Sequence, residues 1–257
     1  MLKPALLKTY NELFDLAERE VAQDTLLLHR VQQSRLSLQY AELEIARTQT
    51  ETDKTKVREL LDLFKQRTLH FGITTLNEQK NTPDKYCDLY EKRFLPQAEP
   101  NKAANAKLTW IIPPHDRYKA LGETALTDCL FGGTTYVESW VGWNGTDGAF
   151  ILDMGEEKDF SRIETDFLHQ LGGWVLLPHS VTYSVSSDNQ TFHPFGSYTF
   201  TEDRDLQVKF VSGTVQSRKN IKARYIKVEV KGIGLCPAWH YGVGYPAWFF
   251  IDEVSVY

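Results

Sequence analysis

Apolar residues in the first 95 positions recur at intervals of three and four, the spacing that places side chains on one face of a helix. The first stripe consists of Leu6, Tyr10, Leu13, Phe14, Ala17 and Val21. The second consists of Leu27, Val31, Leu38, Ala41 and Ile45, and the third of Val57, Leu60, Leu61, Phe64 and Phe71. A fourth, shorter pattern runs through Tyr86, Leu89, Tyr90 and Phe94. These patterns predict four helices, and the short connections between them favour an up-and-down bundle.

Residues with strong helix-boundary preferences lie at the ends of these stripes. Asp24 and the pair Thr52 and Asp53 precede the second and third stripes, where a side-chain oxygen can accept from the first free backbone N–H groups. Gly72 follows the third stripe and suits the left-handed residue that ends many helices. Pro83 precedes the fourth, and its fixed φ suits a first helical turn. Local chemistry therefore predicts the helix boundaries.

From Leu108 onward the apolar pattern changes to a period of two, which is typical of strands. The clearest examples are residues 150–153 (FILD), 163–167 (IETDF), 181–185 (VTYSV) and 225–230 (YIKVEV). Residues 187–190 (SDNQ) are rich in side chains that bond their own backbone, so they predict a turn. Many short strands with frequent turns predict an antiparallel sandwich or barrel.

Composition changes at the same place as the pattern. Residues 1–95 contain one glycine, two prolines and no tryptophan, whereas the remainder holds 15 glycines, eight prolines and all six tryptophans. Basic and acidic residues balance in the first part, so the net charge of −5 belongs to the second. The chain is long enough for two cores. We therefore predict an α plus all-β protein with a helical bundle at 1–95, a linker at 96–107 and a β-sandwich at 108–257.

Charge and hydropathy exclude several classes of function. A net charge of −5 provides no basic field for nucleic acid. No apolar run is long enough to span a bilayer, and the N-terminus lacks the pattern of a signal peptide. The three cysteines are widely spaced, which argues against a disulfide framework or a zinc site. The chain starts directly in helical pattern, which suggests a fragment of a longer protein.

Short motifs in the second part resemble those of the discoidin-like, or coagulation factor 5/8 type C, family. They are residues 125–128 (ALTD) with 132–135 (GGTT), 140–143 (WVGW) with 150–155 (FILDMG), 181–188 (VTYSVSSD), 223–228 (ARYIKV) and 250–257 (FIDEVSVY). Their order matches that of the family over about 150 residues. One departure is Cys129, which stands where the family usually has glycine. The resemblance implies a jelly-roll sandwich that binds galactose-like sugars and has no catalytic activity.

Further resemblances concern the parent protein. Residues 172–178 (GGWVLLP) and 236–240 (CPAWH) resemble modules appended to bacterial glycoside hydrolases. Residues 13–18, 28–31 and 35–40 resemble a helical region that follows the barrel of a glycosidase-like family. Together they imply the C-terminal part of a larger, secreted or periplasmic hydrolase-like protein, with the parent catalytic domain as a partner.

A sugar site needs an aromatic face for the C–H side of a pyranose and a few polar groups for its hydroxyls. The candidate residues are Trp143, Trp174, Trp239, His240 and Tyr241. The preferred group is residues 239–241, three such residues on a loop bounded by glycine and proline. For Trp143 and Trp174 a core position is an equal alternative, because tryptophan is highly buried on average. Trp140 and Trp248 are predicted to lie in the core.

The family resemblance also implies a structural calcium ion. Its side-chain ligands would be Asp128 and Thr134 in the early loop and Glu253 in the last strand, because Ca²⁺ prefers oxygen ligands. The backbone carbonyls of Ala125 and Asp252 would complete the site. The alternative is that Asp128 is a turn residue and Glu253 a solvated strand residue.

No catalytic constellation accompanies these sites. The carboxylate pairs Glu42 with Glu44 and Glu156 with Glu157 are near neighbours in sequence, and such pairs do not face one bond across a cleft as those of glycosidases do. We therefore predict no enzyme but a carbohydrate-binding module for a glycan or glycoconjugate. The alternative is a structural or protein-interaction accessory domain that binds no sugar, and an enzyme ranks last.

Overall fold

The computed structural model describes residues 4–49, 53–76, 81–95, 99–119, 122–134, 136 and 139–257. It consists of two compact units, Met1–Gln97 and Ala98–Tyr257. The first is helical and the second is an antiparallel β-structure, as the sequence predicted. No helix in the described ranges is both long and apolar enough to cross a membrane.

In its described residues, the first unit contains four α-helices that begin and end near the predicted residues. They are α1 (Pro4–Glu20), α2 (Thr25–Ala46), α3 (Lys54–His70) and α4 (Pro83–Leu89), which continues as a π-helical turn, Tyr90–Phe94. Asp24 caps α2 by accepting from the N–H of Leu27 at 3.0 Å. Asp53 caps α3 in the same way. Gly72 follows α3 at φ +64°, a conformation that glycine adopts without steric cost. The predicted N-cap role of Thr52 falls outside the described residues.

Side chains from α2, α3 and α4 form the core of the helical unit. Leu43, Leu61 and Phe64 are at most 1% exposed. The hydroxyl of Tyr90 donates to the carbonyl of Leu43 at 2.8 Å. Helix α1 contributes less, because Leu13 on its predicted inward stripe is 54% exposed. The helices therefore pack as a bundle whose apolar centre lies mainly among the last three.

The described residues of the second unit form seven strands, all paired antiparallel. They are β1 (Lys107–Ile112), β2 (Val141–Asn144), β3 (Gly148–His169), β4 (Ser180–Ser186), β5 (His193–Thr199), β6 (Lys209–Lys231) and β7 (Trp248–Val256). Their order is β2-β7-β3-β6-β4-β5, and β1 pairs with β3.

Two long strands, β3 and β6, connect the layers of the sandwich. The first half of β3 pairs with β1, and its second half pairs with β7. The β3–β6 register shifts between Asp153 and Lys158 and again between Phe160 and Arg162, and such bulges bend strands. Phe150 and Phe167, one from each half of β3, are fully buried in the same core. The bent strands therefore enclose a single apolar centre.

The chain before β1 packs on the sandwich. Asn101 donates to the carbonyl of Val254 at 3.1 Å and accepts from the N–H of Val256 at 2.9 Å. The N–H of Lys102 donates to the carbonyl of Val256 at 2.8 Å. Ala103 is fully buried in the core. The structure therefore places residues 101–106, which the sequence assigned to a linker, inside the second unit.

Candidate functional site

Three connecting segments, residues 170–178, 200–208 and 233–247, lie together at one end of the sandwich. Val175 forms a bridge with Trp248, and Leu235 forms one with Pro246. Beneath them is a small buried cluster of Leu171, Leu176, Cys236 and Ala247, on which Trp174 and Trp239 pack. This cluster holds the loops in a fixed arrangement, as a binding site requires.

Trp239 is half-buried and is held from two sides. Its indole N–H donates to Oε2 of Glu202 at 2.7 Å. The guanidinium of Arg204 lies 5.1 Å from the centre of the Trp239 ring and pairs with Oε1 of Glu202 at 2.7 Å. The hydrogen bond from Trp239, followed by that from Arg204, lowers the pKa of Glu202 below its ordinary value. Glu202 therefore fixes the indole while remaining ionised.

A depression of about 290 Å³ adjoins Trp239. Its apolar lining includes Leu176, Pro178, Phe200, Ile233, Leu235 and Pro237. Its polar lining consists of His179, Thr201, Glu202 and Asp203. This combination of an aromatic ring, apolar walls and a few hydrogen-bonding groups is typical of small-molecule sites.

His240 does not face this depression and is only 3% exposed. Its Nδ1 accepts from the N–H of Gly242 at 3.0 Å, and its Nε2 lies 3.1 Å from the carbonyl oxygen of Leu171. An Nε2–H tautomer satisfies both contacts. The structure therefore corrects the predicted role of His240, because both ring nitrogens already bind backbone groups and hold the loops together.

Trp143 takes the core position that was the alternative to a sugar-binding role, since its side chain is fully buried. Its ring stacks on Phe249 with centroids 5.1 Å apart, and its N–H donates to the carbonyl of Ile112 at 3.0 Å. Strand β2 directs this side chain into the sandwich, so no ligand reaches it. Trp140 is buried as predicted. Trp248 is partly buried and packs against the apolar cluster that contains Trp140.

Tyr241 and Trp174 form an aromatic patch next to the depression. Tyr241 is 67% exposed, and its hydroxyl donates to the carbonyl of Gly172 at 2.9 Å. The ring of Trp174 lies 6.1 Å from that of Tyr241 and 5.4 Å from that of Tyr245. Neither Trp174 nor Tyr241 lines the depression. Of the five predicted sugar-binding residues, Trp239 therefore lines the depression, and Trp174 and Tyr241 lie on this patch. Trp143 and His240 are buried.

Sequence reasoning missed the polar lining of the depression. Glu202 and Asp203 lie in a segment without strand pattern, and His179 immediately precedes β4. Tyr245, the third ring of the patch, was missed as well.

Two of the three predicted side-chain ligands of the metal, Asp128 and Glu253, contact each other. Together with Asp252 they form an acidic cluster. Oε1 of Glu253 accepts from the N–H of Cys129 at 3.0 Å, and the carboxyl groups of Glu253 and Asp128 are in hydrogen-bonding contact. Both oxygens of Asp252 accept from the N–H of Gly132, at 3.0 and 2.8 Å. Asp252 and Glu253 are at most 1% exposed. The early loop is thus tied to β7 by carboxylates.

The buried carboxyl groups of this cluster cannot all be ionised without a compensating positive charge. Burial, followed by the charge of Asp252 and the contact with Asp128, raises the pKa of Glu253 well above its ordinary value. Oε2 of Glu253 is buried and accepts from no N–H among the described residues. Such a pair of carboxyls needs a shared proton or a cation.

The cluster is not by itself a complete metal site. No set of three or more His, Cys, Asp or Glu side chains in the described parts of the chain could hold a metal ion. Thr134 makes no described hydrogen bond to Asp128 or Glu253, and its role as a ligand stays a prediction. The two carboxylates fit a cation only if backbone carbonyls supply the remaining oxygens.

The fold and its loop-borne depression define an antiparallel β-sandwich module that follows a helical unit. The chain belongs to the F5/8 type C domain family, whose profile matches residues 115–249. A search of the curated proteins found no match.

Solved structures similar to this chain include three of different origin. SpGH29 is 15% identical over 67% of this chain, with a TM-score of 0.39; the chain spans only 30% of that protein. CBM32-1, from a family 31 glycoside hydrolase of Clostridium perfringens, is 20% identical over 62% of this chain and 99% of its own, with a TM-score of 0.40. A fucolectin from striped bass (Morone saxatilis) serum is 15% identical over 61% of this chain and 47% of its own, with a TM-score of 0.42.

Proposed function

We propose that the second unit is a carbohydrate-binding module and that its sugar site is the depression beside Trp239. The observation that carries this proposal is the indole of Trp239, fixed by Glu202 at the wall of a 290 Å³ depression. A rigid aromatic ring covers the apolar face of a pyranose at little entropic cost. Membership of the F5/8 type C family supports the proposal.

The polar lining supplies the groups that orient a sugar. Asp203 has acceptor oxygens, Thr201 has a hydroxyl, and His179 can donate or accept. Lys209 binds Asp203 at 2.7 Å and holds the pKa of that carboxyl below its ordinary value. Asp203 is therefore ionised at neutral pH and accepts hydrogen bonds from sugar hydroxyls. Its backbone carbonyl contacts Nε2 of His169 at 3.2 Å, which fixes the segment that carries it.

A glycan array followed by calorimetry tests this site. We expect a Kd in the roughly high micromolar to millimolar range, about −4 to −6 kcal/mol, because stacking and a few hydroxyl contacts give little more once ordering costs are met. Trp239→Ala should abolish binding and leave the melting temperature nearly unchanged.

Tyr245→Ala is the matched control, because Tyr245 is a 61% exposed ring that does not line the depression. This variant should bind as the wild type does. Absence of binding to every glycan, or binding that survives Trp239→Ala, contradicts the proposal. Absence of all binding favours the alternative of an accessory domain that binds no sugar.

We further propose that the chain is a non-catalytic part of a larger glycoside hydrolase-like protein. The resemblance of residues 13–18, 28–31 and 35–40 to a post-barrel helical region supports this. The isolated chain should release no product from aryl glycosides or from the glycans it binds. Hydrolysis that persists in a preparation of Trp239→Ala, after the same purification, would contradict the proposal.

We also propose a structural calcium ion between the early loop and β7, with Asp128 and Glu253 as ligands together with Thr134 and backbone carbonyls. The charge of such an ion would stabilise the two carboxylates in place of a shared proton. An ion that binds only the folded state stabilises it by about 2.7 kcal/mol when free calcium exceeds Kd 100-fold.

Melting with and without chelator tests this ion. EDTA should lower the melting temperature of the wild type, and Glu253→Gln should remove most of that difference. Glu164→Gln is the control, because Glu164 is a half-buried carboxylate of β3 that pairs with Arg162 at 3.0 Å. Equal melting of the chelated and calcium-loaded wild type, with no metal in elemental analysis, contradicts the site.

A further inference from the structure

A second groove, of about 300 Å³, lies at the opposite end of β4 from the depression beside Trp239. The depression includes His179, which precedes β4, and the second groove includes Ser186, which ends it. Seven residues of strand separate the two by about 20 Å. We call this second cavity the bulge groove; it is lined by Ser187, His193, Phe195, Ser217, Ile221 and Lys222, among others.

The name refers to an extra stretch of β6 at the rim of the groove. Ile221 pairs with Phe160 and Gln216 pairs with Arg162. Four residues of β6, numbers 217–220, therefore lie opposite the single residue Ser161 of β3. Bulges of this kind redirect side chains out of the sheet. The stretch has the sequence Ser-Arg-Lys-Asn, so Arg218 and Lys219 stand in the chain between the lining residues Ser217 and Ile221, although neither lines the groove itself.

The charged side chains that line the bulge groove differ in sign from those that line the depression. The depression is lined by Glu202 and Asp203 and by no lysine or arginine. The bulge groove is lined by Lys222 and His193 and by no carboxylate. Every position from 139 to 257, the part of the chain that contains both cavities, is described by the structure.

Two carboxylates lie near the bulge groove, and one of them, Glu157, contacts the lining residues Lys222 and Ser187. Asp188 accepts from the N–H groups of Gln190 and Thr191, both at 2.9 Å, within its own turn. Glu157 lies 3.6 Å from Lys222 in a pair whose two side chains are 42% and 62% exposed. Exposed pairs of this kind are weak, so an incoming anion can compete for Lys222. Arg218 and Lys219 form no ion pair in the described part of the chain.

The remaining lining is apolar and aromatic. Phe195 is half-buried, and its ring lies 5.8 Å from that of Phe160 beneath it. Pro194 and Ile221 extend the apolar strip. A strip of this size accommodates one face of a sugar ring, and the hydroxyls of Ser187 and Ser217 lie at its edge.

We propose that the bulge groove binds an anionic sugar, a uronate or a sulfated pyranose. The ring would lie on Phe195 and Ile221, and its carboxylate or sulfate would contact Lys222, with Lys219 and His193 nearby. This site is additional to the depression beside Trp239, and its ligand differs in charge. A polysaccharide with anionic units could then reach both ends of β4.

NMR titration of the ¹⁵N-labelled full chain tests the proposal with three probes. They are a galacturonate trisaccharide, a sulfated chondroitin disaccharide and neutral galactotriose. At least one anionic probe should shift the amide signals of residues 185–187, 193–195 and 217–223, whereas galactotriose should not. The first two probes distinguish a carboxylate from a sulfate as the preferred group.

Two variants and a control locate the contact. Lys222→Gln and Lys219→Gln should each weaken binding of the anionic probe about fivefold. Lys231→Gln should have no effect, because Lys231 lies on the same strand with 65% exposure but pairs with Asp147 at the other end. Trp239→Ala should leave this binding intact, so failure of the first sugar site is distinguishable. No shifts in the groove, equal binding of galactotriose, or an unchanged Kd in Lys222→Gln each overturns the proposal.

Discussion

Cys129 adopts a left-handed backbone conformation, with φ +60°. The Cβ atom of any residue except glycine is crowded there, so glycine would suit this position better. Its N–H donates to Glu253, so the turn is needed to tie the early loop to β7. The backbone strain at Cys129 is therefore offset by the hydrogen bond to Glu253 that this turn allows.

Cys129→Gly should stabilise the second unit by about 0.5–1 kcal/mol, because glycine removes the strain at a positive φ. Urea denaturation measures the change. Asn189→Gly is a suitable control: Asn189 also has φ +58°, but asparagine tolerates this region well. The control should change stability less. A lower stability of Cys129→Gly would mean that the thiol makes contacts worth more than the strain.

The carboxyl group of Asp188 should make the free energy of unfolding depend on pH in the acid range. Hydrogen bonds from the N–H groups of Thr191 and Gln190, then from Ser186, lower its pKa to about 2. Because the folded pKa is below the unfolded one, the stabilising contribution is present above about pH 4. It is lost as the pH falls through about 2. The NMR titration of its carboxyl should show this low pKa, and Asp188→Asn should flatten the stability profile in that window. A midpoint near 4 would contradict it.

The residue types in the proposed sugar site were predictable from the sequence, but the exposure of each side chain was not. The sequence proposed Trp239 and Tyr241 as candidates on the segment 233–247, of which Trp239 lines the depression. It did not distinguish them from Trp143 and His240, because burial depends on which strand or loop packs behind each ring. Glu202 was missed because it meets Trp239 only through tertiary contact, across 37 positions of the chain.

At the scale of elements, local signals predicted the helices better than the strands. The starts of α2 and α3 follow from the side chains of Asp24 and Asp53, which act within three residues. The lengths of β3 and β6 were not predicted, because their bulges interrupt the period of two. The exposure of α1 was also missed, since one apolar stripe does not reveal how many neighbours will cover it.

The cap at α3 should be measurable in the free energy of unfolding of the helical unit. Asp53→Ala should cost about 1 kcal/mol, because two N–H groups lose their acceptor. Asp62→Ala, an exposed position of the same helix, should change stability by a few tenths at most. Denaturation followed by far-UV circular dichroism compares them. Equal effects would show that Asp53 acts through charge alone.

At the scale of the whole molecule, the two units should separate at a defined place. Asn101 and Lys102 are bonded to β7, and Ala103 is buried. Brief digestion with proteinase K should therefore cut before Asn101, since backbone that is bonded and buried resists proteases. Mass spectrometry should find a resistant product that starts near Glu99 or Pro100. A product starting at Lys107 or later would mean that residues 101–106 open readily.

The hydrogen bonds between Asn101, Lys102 and the end of β7 have a topological consequence. The first and last residues of the sandwich are close in space. The contacts between its strands therefore do not depend on the order in which the chain connects them. A circular permutant can join Tyr257 to Glu99 through a short glycine linker and have its new termini at Asn189 and Asp188. It would keep every strand pairing. The same closeness lets the unit be spliced into a surface loop of a host protein without separating the host's own flanking residues.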